Sequence, residues 1–401
     1  MYKSIFFLVV FRCYTEKNIL RLLNYLNYLK KITPKKSKIV VLDLSRYYLG
    51  KNFSGELKIK KKGFNYFKPK NISDLKSYTN GAKIFCMGLI NQKIKLILVL
   101  LIIKKLKFKL IEILATGYFP QAYNKIKINL LYRLHLAITY KGNYYVMRLL
   151  SIFNITPKIE YCFEASQSRI NKIKKNQSKK FLYFFSYKNV AYFKNIIRVN
   201  SELYQNIRKK TKLKKEYIVY IDSGFDHPDI TTKEIYVSEI SRKKFYDDLF
   251  NFLSRLENIL NKKLVYCKHP KATYPKYFDK FEKKFKVSTG KAEYYINKSY
   301  IVVIAVSTLM NYAFLLKKNV IIAGSRYWGN LVRDKIASIR KETNIPYLNI
   351  GKYNNISKLN LLNKFKNNKK IQNKFIQSNL IVDNKKNHYE QLKFYLDKIS
   401  N

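Results

Sequence analysis

The 401-residue chain predicts an α/β protein with parallel sheets, and three features of the sequence carry that prediction. Strand-like and helix-like segments alternate, as βαβ units require. The strand segments are almost continuously apolar, as strands covered on both faces are. At roughly 100–200 residues per domain, the length suggests two such domains, and a hydrophobic content of 47% supports buried cores.

The elements follow in order. SIFFLVVF (4–11) and KIVVLDL (38–44) read as buried strands, with a helix of apolar periodicity, NILRLLNYLNYLKKI (18–32), between them. KIFCMGL (83–89) and FLYFFSY (181–187) read as further strands, and the polar, basic segment 168–180 reads as a surface helix or loop. The run LILVLLII (96–103) is core: it is far short of the ~20 apolar residues of a membrane span. The N-terminal run lacks a small-residue cleavage site and reads as a first strand. Charged, weakly patterned residues 204–216 mark the domain boundary, giving an N-terminal domain over 1–205 and a second over 206–385. The last segment, 386–401, is expected to be an amphipathic helix.

The second domain is the clearer one. YIVYID (217–222), LVYC (264–267), YIVVIAV (300–306) and NVIIAG (319–324) are strands. The segment 241–260 is a helix with Phe245, Leu249, Phe252, Leu253, Leu256 and Leu260 on one face and Ser241 as its expected N-cap. STLMNYAFLLKK (307–318) is a second helix.

Charge is extreme: 80 Lys and Arg against 25 Asp and Glu, a formal net charge of +55. Such a balance favours anionic partners. It does not select nucleic acid, because 67 of the cations are scattered lysines, and the planar Arg fork that grips bases and phosphates is scarce. Arg326, Arg333 and Arg340 repeat every seven residues and are read as a solvated helix face. The four cysteines (Cys13, Cys86, Cys162, Cys267) form no CxxC pair and match no zinc spacing, so they read as small buried residues of a reducing compartment. No GxGxxG, GxxxxGK[ST] or GxSxG motif is present, and there is no DxD triplet to bridge a metal to a nucleotide diphosphate.

Groups with chemistry gather where the strands of the second domain end. In a parallel sheet those C-terminal ends share one edge, where ligands bind. Asp222, Ser223, Gly224, Asp226, His227, Pro228 and Asp229 follow the first strand, and Lys268-His269-Pro270 follow the second. Ser307-Thr308 follow the third, and Ser325-Arg326 the fourth. Ser307 and Thr308 at a helix start can hold a phosphate. His269 can donate to a phosphate oxygen or protonate a leaving oxygen. Lys268 adds charge, and an aspartate can take a proton from an acceptor hydroxyl. Singly, each group also fits turn or cap chemistry; their alignment on one edge favours a ligand site.

Three short motifs in this order, Asp222-Ser223-Gly224, His269-Pro270 and Ser307-Thr308, resemble those of bacterial sialyltransferases with the two-domain GT-B architecture. The stretches YIDSGFDHPDI, KHPKATY, STGKAEY and VSTLMNYAFLLKKNVI also resemble proteins of bacterial surface-polysaccharide and O-antigen clusters. The resemblance covers 217–324. It implies a GT-B-like fold, two Rossmann-like domains with parallel sheets facing a cleft. It also implies an inverting, metal-independent glycosyltransferase with a CMP-sugar donor. Lys268, His269, Pro270, Ser307 and Thr308 would bind the donor, His269 would help CMP leave, and Asp222, Asp226 or Asp229 would be the base, with Asp222 favoured by position. Ser223 departs from the family, which has a second acidic residue there. The acceptor side would be the N-terminal domain, and the last helix would pack back onto that domain. The expected partners are a nucleotide sugar and a glycan or lipid-linked glycan acceptor. The expected location is the cytoplasm, peripheral to the anionic inner face of the membrane. Another nucleotide sugar and a phosphotransferase on the same rim remain open readings. So do a basic nucleic-acid-binding protein and a non-catalytic accessory protein of a polysaccharide cluster.

Overall fold

The computed structural model describes residues 5–11, 16–34, 37–43, 64–78, 83–87, 97–115, 150, 155, 157–178, 193–208, 213, 215–225 and 238–400. The predicted strand 181–187 and the candidate base Asp226, with His227, Pro228 and Asp229, lie outside them. The chain forms two compact units. One takes the described residues of Met1–Thr116, Lys127–Asn200 and Val382–Asn401, and the other those of Ser201–Ile381.

The first unit is built on seven parallel strands: β1 (Ile5–Phe11), β2 (Ser37–Asp43), β3 (Asn65–Phe67), β4 (Lys83–Met87), β5 (Lys109–Ile113), β6 (Ile159–Glu164) and β7 (Phe193–Arg198). Their order is β3-β2-β1-β4-β5-β6-β7. Among the described residues, this part of the chain forms the helices α1 (Glu16–Ile32), α2 (Ile72–Tyr78), α3 (Ile97–Lys105) and α4 (Gln167–Ser178). α4 lies in the segment read as polar surface, yet Ile170 and Ile173, three residues apart, turn one face into the core.

The second unit opens with α5 (Glu202–Arg208), whose Ile207 is buried in that unit's core; residues 202–205 therefore start the second unit rather than end the first. Its strands are β8 (Tyr217–Ile221), β9 (Lys263–Lys268), β10 (Lys286–Thr289), β11 (Ser299–Ile304), β12 (Asn319–Gly324) and β13 (Tyr347–Asn349). All are parallel, in the order β10-β9-β8-β11-β12-β13. That is the 3-2-1-4-5-6 order of a doubly wound nucleotide-binding sheet. The first unit begins with the same order and adds a seventh strand. The expected two-domain, parallel α/β architecture is what the chain adopts.

α6 (Glu239–Leu260) buries all six residues of the predicted stripe, together with Tyr246. Fully burying one such Leu or Phe stabilises by about 1.5–3 kcal/mol. Its N-cap is Ser238, not Ser241: the Ser238 hydroxyl accepts the Ser241 N–H at 3.3 Å, which places Ser241 inside the first turn. Asn261 closes the helix in the left-handed region (φ 47°). The remaining helices of this unit are α7 (Asp279–Lys284), α8 (Ala292–Asn297), α9 (Leu309–Leu315), α10 (Asn330–Thr343) and α11 (Lys358–Asn379). Arg333 and Arg340 lie on α10, but Arg326 precedes it and stacks on Tyr327, so the seven-residue spacing does not make one helix face.

The chain then returns to the first unit. α12 (His388–Ser400) packs on α1, burying Leu392 and Leu396 among Leu26 and Leu29. The joint is polar at one point. Buried His388 faces the carbonyl oxygen of Asn200 through Nδ1 and the Tyr28 hydroxyl through Nε2, each at 2.6 Å. A carbonyl can only accept, so Nδ1 carries the proton and Nε2 takes the Tyr28 O–H. The Asn200 side chain adds bonds to the Val382 and Asp383 N–H groups and to the Asp383 and Lys386 carbonyls. One asparagine thus fastens the outgoing and returning strands of the chain together.

Candidate functional site

In the second unit the strand order reverses between β8 and β11, and a crevice opens at their C-terminal ends in such sheets. The three motifs follow β8, β9 and β11, three neighbouring strands. Asp222, Ser223 and Gly224 follow β8; Lys268 ends β9 and His269-Pro270 follow it; Ser307 and Thr308 follow β11 by two residues.

Asp222 is buried, with only 5% of its surface exposed. One carboxylate oxygen accepts the Gly224 N–H at 2.9 Å, a tight turn that Gly224 permits with φ 72°. The other accepts the Tyr274 hydroxyl. Its own N–H continues the ladder to the Cys267 carbonyl at 3.0 Å. Burial pushes the Asp222 carboxyl up from the usual carboxylate range, while the Tyr274 hydroxyl and the surrounding backbone N–H groups pull it back. The geometry makes Asp222 an organiser of the strand ends.

Ser223 spans the switch point. Its hydroxyl accepts the N–H groups of Ala305 (3.2 Å) and Val306 (2.8 Å), tying the end of β8 to the end of β11. The departure from the acidic pattern therefore has a structural use.

His269 is half-buried, and its backbone N–H donates to the Tyr274 hydroxyl at 2.8 Å. Its Nδ1 receives the Lys271 N–H at 3.3 Å. A neutral imidazole arranged this way carries its proton on Nε2. The Lys268 ammonium pairs with Glu282 and sits 4.9 Å from the ring centres of both Tyr274 and Phe278. This pairing braces the loop after β9. Pro270 is exposed.

Ser307 is half-buried and its hydroxyl accepts the Leu309 N–H at 3.3 Å, while Thr308 is exposed. The helix they precede, α9, is only seven residues long and starts at Leu309, later than the sequence pattern suggests. Tyr274 is the residue that sequence reading misses. It lies within the His-Pro segment, but one tyrosine among 35 carries no pattern. Among the described residues no group of three or more His, Cys, Asp and Glu side chains is arranged to hold a metal ion, and no helix is long and apolar enough to cross a membrane.

No family model matches the chain, and no curated protein matches it. Solved structures are similar over nearly its full length at low identity. The UDP-GlcNAc 2-epimerase of Methanocaldococcus jannaschii is 10% identical over 99% of both chains, with a TM-score of 0.45. A variant of the wall teichoic acid polymerase TagF is 12% identical over 98% of this chain and 88% of that one, with a TM-score of 0.47. MnaA of S. aureus, solved with UDP, is 11% identical over 99% of this chain and 95% of that one, with a TM-score of 0.43.

Proposed function

We propose that this protein is a nucleotide-sugar-dependent glycosyltransferase of bacterial surface-polysaccharide assembly, with its donor at the C-terminal edge of the second sheet. The finer reading is inverting, metal-independent transfer of a sialic-acid-like sugar from a CMP-sugar to a glycan hydroxyl. One observation supports the site: three motifs, the outer two separated by 82 residues of chain, follow the adjacent strands β9, β8 and β11, at the switch point of a nucleotide-binding strand order.

In this reading His269 donates an Nε2–H hydrogen bond to the donor phosphate and stabilises the charge that grows on the leaving oxygen, keeping its proton. Ser307 and Thr308 supply hydroxyl and backbone donors to the same anion. The buried Asp222 organises the edge, and Asp226, four residues further along, takes the acceptor proton. The acceptor is a lipid-linked glycan, and the lysine-rich surface favours an anionic membrane face.

The test is a thermal-shift titration with CMP, UDP, GDP and ADP, with and without EDTA. A ligand that binds only the native state raises Tm. Stabilisation by CMP that survives EDTA and disappears in His269→Ala is the expected result. A preference for UDP or GDP would replace the CMP-sugar assignment and keep the transferase. No response to any nucleotide would overturn the reading.

A further inference from the structure

We infer that Tyr274 is a positioning residue for His269: its hydroxyl, anchored on the buried Asp222 carboxylate, fixes the backbone of the His-Pro turn and so the direction of the imidazole Nε2–H. The inference rests on the reading that His269 meets the donor phosphate.

The argument begins with polarity. A backbone N–H can only donate and an ionised carboxylate can only accept. The Tyr274 hydroxyl stands between the two, accepting from His269 N–H at 2.8 Å and donating to Asp222. Its orientation is therefore set, in one direction, from His269 through Tyr274 to Asp222. Burial, and then the Asp222 charge, hold the phenol well above its ordinary pKa, so its proton stays in place.

The ring cannot drift. Its centre lies 4.5 Å from that of Phe278, and the Lys268 ammonium stands 4.9 Å away, itself held by Glu282. Pro270 restricts His269 to extended backbone. With the His269 N–H fixed, the turn brings the Lys271 N–H to Nδ1, which selects the Nε2–H tautomer. Asp222 simultaneously accepts the Gly224 N–H, so the loops after β8 and β9 share one anchor. The result is an imidazole that carries its proton on Nε2, the form that can donate to an anionic oxygen.

Tyr274→Phe isolates the hydroxyl, because it keeps the ring, its tilted contact with Phe278 and the cation contact. The chain has four histidines, so their imidazole nitrogens can be followed in labelled protein, with His269 assigned by its loss in His269→Ala. In Tyr274→Phe the expected change is a shift from the Nε2–H tautomer to a mixture, with a displaced His269 titration. CMP affinity should fall roughly tenfold, the scale of one charge-linked hydrogen bond. Adding Tyr274→Phe to His269→Ala should cause no further loss, since both act through one group. Asp222→Asn, the second variant, should shift the same imidazole signal and covers the case in which Tyr274→Phe does not fold.

An unchanged imidazole spectrum in a folded Tyr274→Phe or Asp222→Asn protein overturns the inference. So does an affinity loss that adds fully to that of His269→Ala. The imidazole readout needs no nucleotide. If no variant and no wild-type protein binds CMP, the transferase reading fails, while the spectra still decide whether Tyr274 sets the histidine.

Discussion

Glu164 and Asp222 are both buried carboxylates at the C-terminal end of a parallel strand, one in each unit, and they are held differently. Glu164 accepts the N–H groups of Ala165 (2.9 Å) and Ser166 (3.0 Å) and pairs with the Arg169 guanidinium at 2.8 Å. Asp222 accepts one backbone N–H and a neutral phenol. Burial pushes both carboxyls upward. The difference lies in where each arrangement leads. The Glu164 corner leads to a cation on the helix that starts there, which also donates to the Leu114 carbonyl at 3.3 Å. The Asp222 corner passes its hydrogen bonds to a second loop, where His269 stands. A guanidinium can only donate, so it gathers acceptors; a phenol, both donor and acceptor, relays from a donor in one loop to an acceptor in another.

The sharpest way to break this contrast is Arg169→Ala. Removing the cation leaves Glu164 buried without its counter-charge, which costs about 3–5 kcal/mol in such sites. Urea denaturation followed by circular dichroism should show the first unit losing that stability. A loss below about 1 kcal/mol would mean that the two backbone N–H groups suffice and that the corners are alike.

A buried polar group with no charge at all gives the intermediate case. Burial lowers the His388 pKa from 6.5 to about 4, against the opposing bond to the Asn200 carbonyl. As pH falls, the unfolded chain takes up a proton before the folded one does. Stability that is complete above pH 6.5 is therefore lost progressively toward pH 4, by about 3 kcal/mol over the full window. Tm measured from pH 7.5 to 4.5 should fall, and His388→Gln should flatten the curve. A His388→Gln curve as steep as the wild type would place the acid sensitivity elsewhere.

The smallest effect on stability is expected at Asp222→Asn. An amide keeps the shape but has only one accepting oxygen, so it keeps one of the two bonds, to Gly224 or to Tyr274, and unfolding stability should change by about 1–2 kcal/mol. The expected signature is functional: weaker CMP binding beyond what the stability change explains, read by isothermal titration. Full affinity in that variant would reduce Asp222 to a purely structural role like that of Glu164.

The same contrast explains what the sequence makes legible. The second unit is readable because β8, β9, β11 and β12 are apolar on both faces and α6 carries an uninterrupted stripe. Its cap is displaced because Ser238 and Ser241 both satisfy the same local pattern. In the first unit, β5 (KLIEI) and β6 (IEYCFE) escape a reading based on hydrophobicity, since each carries acidic residues inside the strand. Glu112 is buried there, and burial pushes its carboxyl up to about 8. At the site, position along the chain is enough to bring Asp222, His269 and Ser307 to one edge. It cannot show that Asp222 is enclosed, that Lys268 turns to Glu282, or that Tyr274 links two loops. Those depend on side-chain direction across distant segments, which no local pattern encodes.

The closure of α12 on α1 carries a consequence for biosynthesis. The second unit is an insertion, entered after Asn200 and left before Val382. On the ribosome its last strand and helices emerge before His388, Leu392 and Leu396 do. The inserted unit can reach its native state while its host still lacks its closing helix. The first unit, although made first, is the last to be finished.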